Sequence, residues 1–157
     1  MERQRGFSLI ELLIVVAIIL IIAALAVPNF LRSRIAANES AAAAAVRIVT
    51  SAQISYSSAY PSVGFASALT SLGGPNCNPP TSTSACIIDD PLAAGQRSGY
   101  NFALSNVSGT PASSYNIIAT PSAYNSSGTK YFCANEDSVV RYSYTAISTC
   151  TNSITAQ

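Results

Sequence analysis

From Leu12 to Val27 the chain reads LLIVVAIILIIAALAV, sixteen apolar residues without interruption. Extended back to Phe7 the run covers twenty-one residues, broken only by Ser8 and Glu11. At the helical rise per residue this stretch spans roughly 30 Å, the hydrocarbon thickness of a bilayer. A secretory signal peptide has a shorter apolar region followed by a small-residue cleavage site. Here the run is longer and leads into Pro28-Asn29-Phe30-Leu31-Arg32, so it reads as a retained membrane helix. Arg3 and Arg5 before it are balanced by Arg32 and Arg34 after it, so the positive-inside rule does not set its orientation.

The rest of the composition narrows the function classes. The 157 residues carry 8 Lys/Arg and 7 Asp/Glu, a net charge of +1, with no basic surface to hold a phosphate backbone. Nucleic acid is therefore not expected as a partner. Histidine is absent, which removes Ser-His-Asp and Cys-His nucleophile arrangements and every His-based metal site. No enzymatic activity and no cofactor are expected. Glu11 needs a reason of its own, because a carboxylate one turn inside a membrane helix costs a few kcal/mol unless it reaches the headgroups or finds a partner.

Gly6-Phe7-Ser8-Leu9-Ile10-Glu11 follows a short basic leader, Met1-Glu2-Arg3-Gln4-Arg5, and precedes the apolar helix and Pro28. This arrangement over residues 1–35 resembles the class III signal of type IV prepilins and of the pseudopilins of type II secretion. The resemblance implies cleavage between Gly6 and Phe7 by a membrane-embedded prepilin peptidase, which also N-methylates the new amino terminus on Phe7. It implies that the apolar helix stays on the mature protein, first as an inner-membrane anchor and then as the core of a helical homopolymer. In that family the carboxylate at the position of Glu11 pairs with the terminal ammonium of a neighbouring subunit, here Phe7. Desolvation offsets most of the attraction, so such a pair acts as a register device more than a net stabiliser. The further implied partners are an inner-membrane assembly platform with its ATPases and an outer-membrane secretin. The resemblance thus implies a subunit of an extracellular pilus on the cell surface; the alternative is a type II secretion pseudopilin.

Pro28 lacks an amide hydrogen and collides with the carbonyl four residues back, so it kinks or locally opens the helix. The helical pattern nonetheless continues past it. Leu31, Ile35, Ala42, Val46, Val49, Ala52, Tyr56 and Tyr60 recur at steps of three, four or seven, one face of a helix. Arg32, Arg34, Glu39 and Arg47 punctuate the stretch, as a solvated face or as inter-subunit salt links. Phe7, Phe30, Tyr56 and Tyr60 read as packing anchors between subunits. The spacing predicts one helix from Phe7 to Ala59, ended by Tyr60-Pro61.

The expected fold is α+β, the long N-terminal helix packed on a C-terminal antiparallel sheet of about four strands. Its expected organisation is a cleaved leader at 1–6, a membrane and filament-core helix at 7–28, an amphipathic half at 29–60 and a head at 61–157. Within the head, 61–98 reads as irregular, with a short helix at 65–72 stopped by Gly73-Gly74. Period-two alternation at Tyr100/Phe102/Leu104, Tyr115/Ile117, Tyr131/Cys133 and Val140/Tyr142/Tyr144 predicts the strands of a sheet at 99–145. Turns are expected at 106–113, 121–128 and 134–138, and 146–157 reads as a tail.

Cys77, Cys86, Cys133 and Cys150 lie on the exported side of this topology, where an even count favours disulfides. The spacings lack a CxxC and any His, against a metal site. Cys77–Cys86 with Cys133–Cys150 is the chosen pairing. The first pair brackets a stretch with little to bury, whose ordering entropy a covalent clip would offset. The second pair joins a predicted strand to the tail after the next one. The crossed pairing Cys77–Cys133 with Cys86–Cys150 is the rival. Asp89-Asp90 and Glu136-Asp137 are carboxylate pairs suited to a hard cation, but without a loop signature they read as solvated turns.

Overall fold

A computed structural model of the chain describes residues 7–74 and 77–156. Gly6 and the rest of the expected leader lie outside the described residues. The chain divides into two compact units, Met1–Arg34 and Ile35–Gln157.

Helix α1, Leu9–Ala59, contributes to both units and ends at the residue expected, one short of Tyr60-Pro61. In the first unit it presents apolar side chains in every direction. Leu9, Leu12, Ile14, Ile18, Ile21 and Leu25 are all exposed, and its most apolar stretch is uncovered among the described residues. By length and composition this helix is apolar enough to cross a membrane. It runs through Pro28 without a break. Pro28 offers no N–H to the Ala24 carbonyl. Just beyond it, Asn29 Nδ2 donates to the Leu25 carbonyl at 3.2 Å and Ser33 Oγ to the Asn29 carbonyl at 3.0 Å.

In the second unit the remainder of α1 buries one face. Ala42, Val46, Val49 and Tyr56 follow the expected stripe, joined by Ala43, Ala45 and Gln53. The alanines cost little side-chain entropy and let the sheet approach the helix backbone closely. Tyr56 is a core residue of its own chain rather than an anchor between subunits. It is 2% exposed, donates to the Ser82 carbonyl at 2.6 Å and packs against the Tyr60 ring, tilted at 49° with centroids 4.9 Å apart.

The sheet has six strands where four were expected. They are β1 (Gln96–Arg97), β2 (Tyr100–Gly109), β3 (Ala112–Pro121), β4 (Tyr131–Asn135), β5 (Arg141–Ser143) and β6 (Thr155–Ala156). All pair antiparallel in chain order. The two additional strands are edge pieces of two residues each, too short to show alternation. The expected turn at 106–113 contracts to Thr110-Pro111, because Ser108 pairs Ser114 and Gly109 pairs Ala112 past an irregularity in register. Two short helices precede the sheet, α2 (Leu69–Leu72) and α3 (Asp90–Ala93). Helix α2 starts later than expected because the backbone of residues 65 and 66 is hydrogen-bonded to other elements. Phe65 N–H donates to the Ala112 carbonyl at 3.0 Å, and Ala66 exchanges hydrogen bonds with the buried Gln53 amide.

On the inner face, Tyr100, Phe102, Tyr115, Ile117, Phe132 and Ala134 pack with the buried stripe of α1 in one core. The outer face is not left to solvent either. Ile118 and Cys133 point outward and are covered by Cys150, Ile147 and Ile154 of the tail, which returns to pair with β5 as β6. Residues 115–119 of β3 are therefore buried without alternation, as a strand covered on both faces must be.

Candidate functional site

Two regions carry the chemistry, one in each unit. In the first, Phe7 precedes α1 and Glu11 stands in its first turn, both exposed. The carboxylate is thus set at the end of a helix whose apolar side chains are exposed among the described residues. Exposing that much hydrocarbon to water is strongly unfavourable, so this segment requires a lipid or protein environment. Beyond Pro28 the polarity changes, and Arg32 and Arg34 stand exposed, with no ion-pair partner among the described residues.

In the second unit, α1 grips the loop between β3 and β4. Asn38 Nδ2 donates to the Ser127 carbonyl at 3.0 Å. Glu39 Oε1 accepts from the Thr129 N–H at 2.8 Å and from its hydroxyl at 2.7 Å, while Lys130 Nζ lies 3.4 Å from Oε2. The same ammonium sits 5.2 Å above the Tyr142 ring. Burial alone pushes the Glu39 carboxyl up, but the Thr129 hydrogen bonds and the Lys130 charge outweigh it and hold it below its ordinary value. Glu39 is therefore neither a solvated residue nor one left for an inter-subunit link. The spacing contained the signal: Glu39 stands four residues after Ile35 and three before Ala42, on the apolar stripe itself. A charge on a buried stripe needs a partner within the fold.

The four cysteines form Cys77–Cys86 and Cys133–Cys150, each with Cα atoms 5.7 Å apart. The second bridge fastens the tail to the outer face of the sheet. Arg141, only 6% exposed, supports it. Its guanidinium forms an ion pair with Asp137 through both carboxylate oxygens and donates to the Val139 carbonyl and to Asn152 Oδ1, each at 3.0 Å. That pairing, ahead of the opposing effect of burial, holds the Asp137 carboxyl below its ordinary value. Asp89 is likewise engaged, by Arg97 at 3.0 Å. Neither carboxylate pair gathers a third ligand, and no group of three metal-ligating side chains occurs among the described residues.

The prokaryotic N-terminal methylation motif matches residues 1–27. The chain is similar to the type IV major pilin protein PilA of Myxococcus xanthus, 48% identical over 54 residues, covering 34% of this chain and 24% of that protein. It is also similar to the type IV wide pilus major component PilA4 of Thermus thermophilus, 56% identical over 39 residues, covering 25% of this chain and 30% of that protein. The chain thus spans less than a third of the length of these curated relatives in the matched segments. No solved structure matches it. The N-terminal segment of the chain thus carries the methylation motif and is similar to the matching segments of type IV major pilins.

Proposed function

We propose that the chain is the structural subunit of a type IV pilus, held in the inner membrane as a precursor and then polymerised into an extracellular filament. One observation carries the reading: the helix bearing the methylation motif exposes apolar side chains on every side. A bilayer satisfies that surface before assembly, and the same surface on neighbouring copies satisfies it afterwards. In this reading a prepilin peptidase cuts between Gly6 and Phe7 and methylates the Phe7 nitrogen. Glu11 of one subunit then takes the Phe7 ammonium of another as its partner, which sets the register. An assembly platform with its ATPases and an outer-membrane secretin complete the machinery. The head, held by two disulfides, has a structural role rather than a catalytic one.

The test is electron microscopy of material sheared from cells, with intact-mass analysis of its main band. The expected result is filaments built of this chain from Phe7 onward, 151 of the 157 residues, plus one methyl group. Filaments composed of another protein, or a Met1 terminus on the assembled chain, would overturn the reading.

A further inference from the structure

The ion pairs within the chain leave a specific residue of charge. Past Gly6 the sequence holds six basic and six acidic side chains. Lys130–Glu39, Arg97–Asp89 and Arg141–Asp137 pair within the second unit. Arg32 and Arg34, both on α1, are not among these pairs. The acids left over are Glu11 in the apolar segment and, on the head, Asp90 and Glu136. Arg32, Arg34, Asp90 and Glu136 are all exposed and have no ion-pair partner among the described residues. Two exposed cations of the first unit are thus matched in number by two exposed anions of the second.

Their placement matches as well. Arg32 and Arg34 are two residues apart on a helix, so they point about 200° apart and cannot address the same neighbour. Asp90 opens α3, which leads into β1 at one end of the strand order, whereas Glu136 follows β4 in the turn towards β5, nearer the other end. Two divergent cations and two separated anions suit contacts with two different copies.

We propose that Arg32 and Arg34 of each subunit are paired in trans with Asp90 and Glu136 on the heads of two neighbouring subunits. The partner is a second and third copy of this chain, recognised by charge. This rests on the reading of the chain as a filament subunit. Packing the apolar helices together in a filament brings the segment just beyond Pro28 out of the hydrocarbon-like core, where four unscreened charges per subunit would otherwise face one another in reduced dielectric. Pairing opposite signs there favours one subunit register and disfavours those that oppose like charges.

The experiment is a charge swap in cells whose only copy of the protein is the variant. Arg32→Glu with Arg34→Glu is one double variant, Asp90→Arg with Glu136→Arg the other, and the quadruple variant combines them. Removing external arginines does not disturb insertion, since the positive-inside rule counts cytoplasmic charge. Each double variant is expected to lower sheared filament yield at least about tenfold with an unchanged membrane pool, and the quadruple variant to restore it. Yield unchanged in either double variant, or not restored in the quadruple variant while its two disulfides map as in the wild type, overturns the pairing and leaves the filament reading standing. Absence of filaments from the wild-type chain overturns both.

Discussion

Thr129 gives Glu39 both of its hydrogens, the backbone N–H at 2.8 Å and the hydroxyl at 2.7 Å, across 90 residues of sequence. This one carboxylate closes the loop between β3 and β4 onto α1 within the head. The hydrogen bonds to a charged acceptor are the strong kind, and losing the acceptor leaves two donors unsatisfied. Glu39→Ala is expected to lower head stability by about 2–3 kcal/mol, and Glu39→Gln by less, because its amide oxygen still accepts from Thr129. Thermal unfolding of the detergent-solubilised full chain, followed by its tyrosine near-ultraviolet signal, measures both.

The same carboxylate gives the head an acid limit. Its folded pKa lies below the ordinary value of 4.5, so its stabilising effect is fully present above 4.5 and is lost as pH falls through the folded value. Asp137, held low by Arg141, contributes with the same sign from its own ordinary value of 3.8 downward. Acid unfolding of the wild type is therefore expected to steepen below about pH 4.5, and Glu39→Gln to flatten the upper part of that limb. Identical acid profiles for the two proteins would exclude Glu39 as a source of the dependence.

The sequence made the two ends of the argument readable and left the middle hidden. The apolar run, Pro28 and the helix end at Ala59 stand in local chemistry, and α1 closes where Tyr60-Pro61 says it must. Period two marks three strands, and at Tyr100/Phe102 and Tyr115/Ile117 it also gives the face that meets the core; in β4 the phase is the opposite of that expected, with Phe132 and Ala134 in the core and Cys133 outward under the tail. The pieces that escaped depend on contacts distant in sequence. Gln96-Arg97 and Thr155-Ala156 become strands only because longer neighbours offer them an edge. Phe65 is drawn out of a helix by Ala112, and Ile118 is buried by a tail whose return no local pattern announces. Glu39 was legible in principle, since its position on the stripe conflicts with its charge, and such a conflict is what a buried partner resolves.

Gly128 is required by close approach. A Cβ at this position would lie 2.0 Å from the Tyr100 hydroxyl, which itself donates to the Lys130 carbonyl at 2.9 Å. Tyr100 is 1% exposed and has no room to withdraw. Gly128→Ala is expected to displace the loop that Glu39 holds and to cost about 1–3 kcal/mol. Gly128→Ala combined with Tyr100→Phe is not expected to recover that loss, because the ring carbons Cζ and Cε2 would still lie 2.6 and 2.9 Å from the Cβ and the hydrogen bond to Lys130 is lost. A double variant more stable than Gly128→Ala in thermal unfolding would show that the hydroxyl alone is the obstruction.

The two disulfides are expected to differ in importance. Cys77 and Cys86 close an exposed loop nine positions long, whereas Cys133 and Cys150 are buried at 0% and 5% exposure and bind the tail to the sheet. In the chain-entropy model each loop contributes about 3 kcal/mol. Loss of the second bridge also uncovers Ile118 and frees Asn152 from Arg141. Replacing Cys133 and Cys150 by serine is therefore expected to lower the melting temperature by about 10 °C or more, and replacing Cys77 and Cys86 by distinctly less. The reverse order would mean that the tail contributes little to the head.

Glu11→Ala separates anchoring from assembly. Glu11 stands in the first turn of a helix that is otherwise apolar as far as Val27, so removing its charge makes membrane insertion easier by a few kcal/mol. The membrane pool of the variant should be at least that of the wild type. Assembly is different under the proposed function, in which the methylated Phe7 ammonium of a neighbour would enter the filament core without its counter-charge. Stripping one partner from a buried ion pair costs about 3–5 kcal/mol, enough to lower filament yield by two orders of magnitude or more. Glu11→Gln should behave almost as badly, since it retains the shape and hydrogen-bonding groups but not the charge. Both variants are compared in cells with no wild-type copy, by the ratio of sheared filament to membrane-bound subunit. A wild-type ratio for Glu11→Gln would assign Glu11 to hydrogen bonding rather than charge pairing, and a wild-type ratio for Glu11→Ala would remove it from assembly altogether.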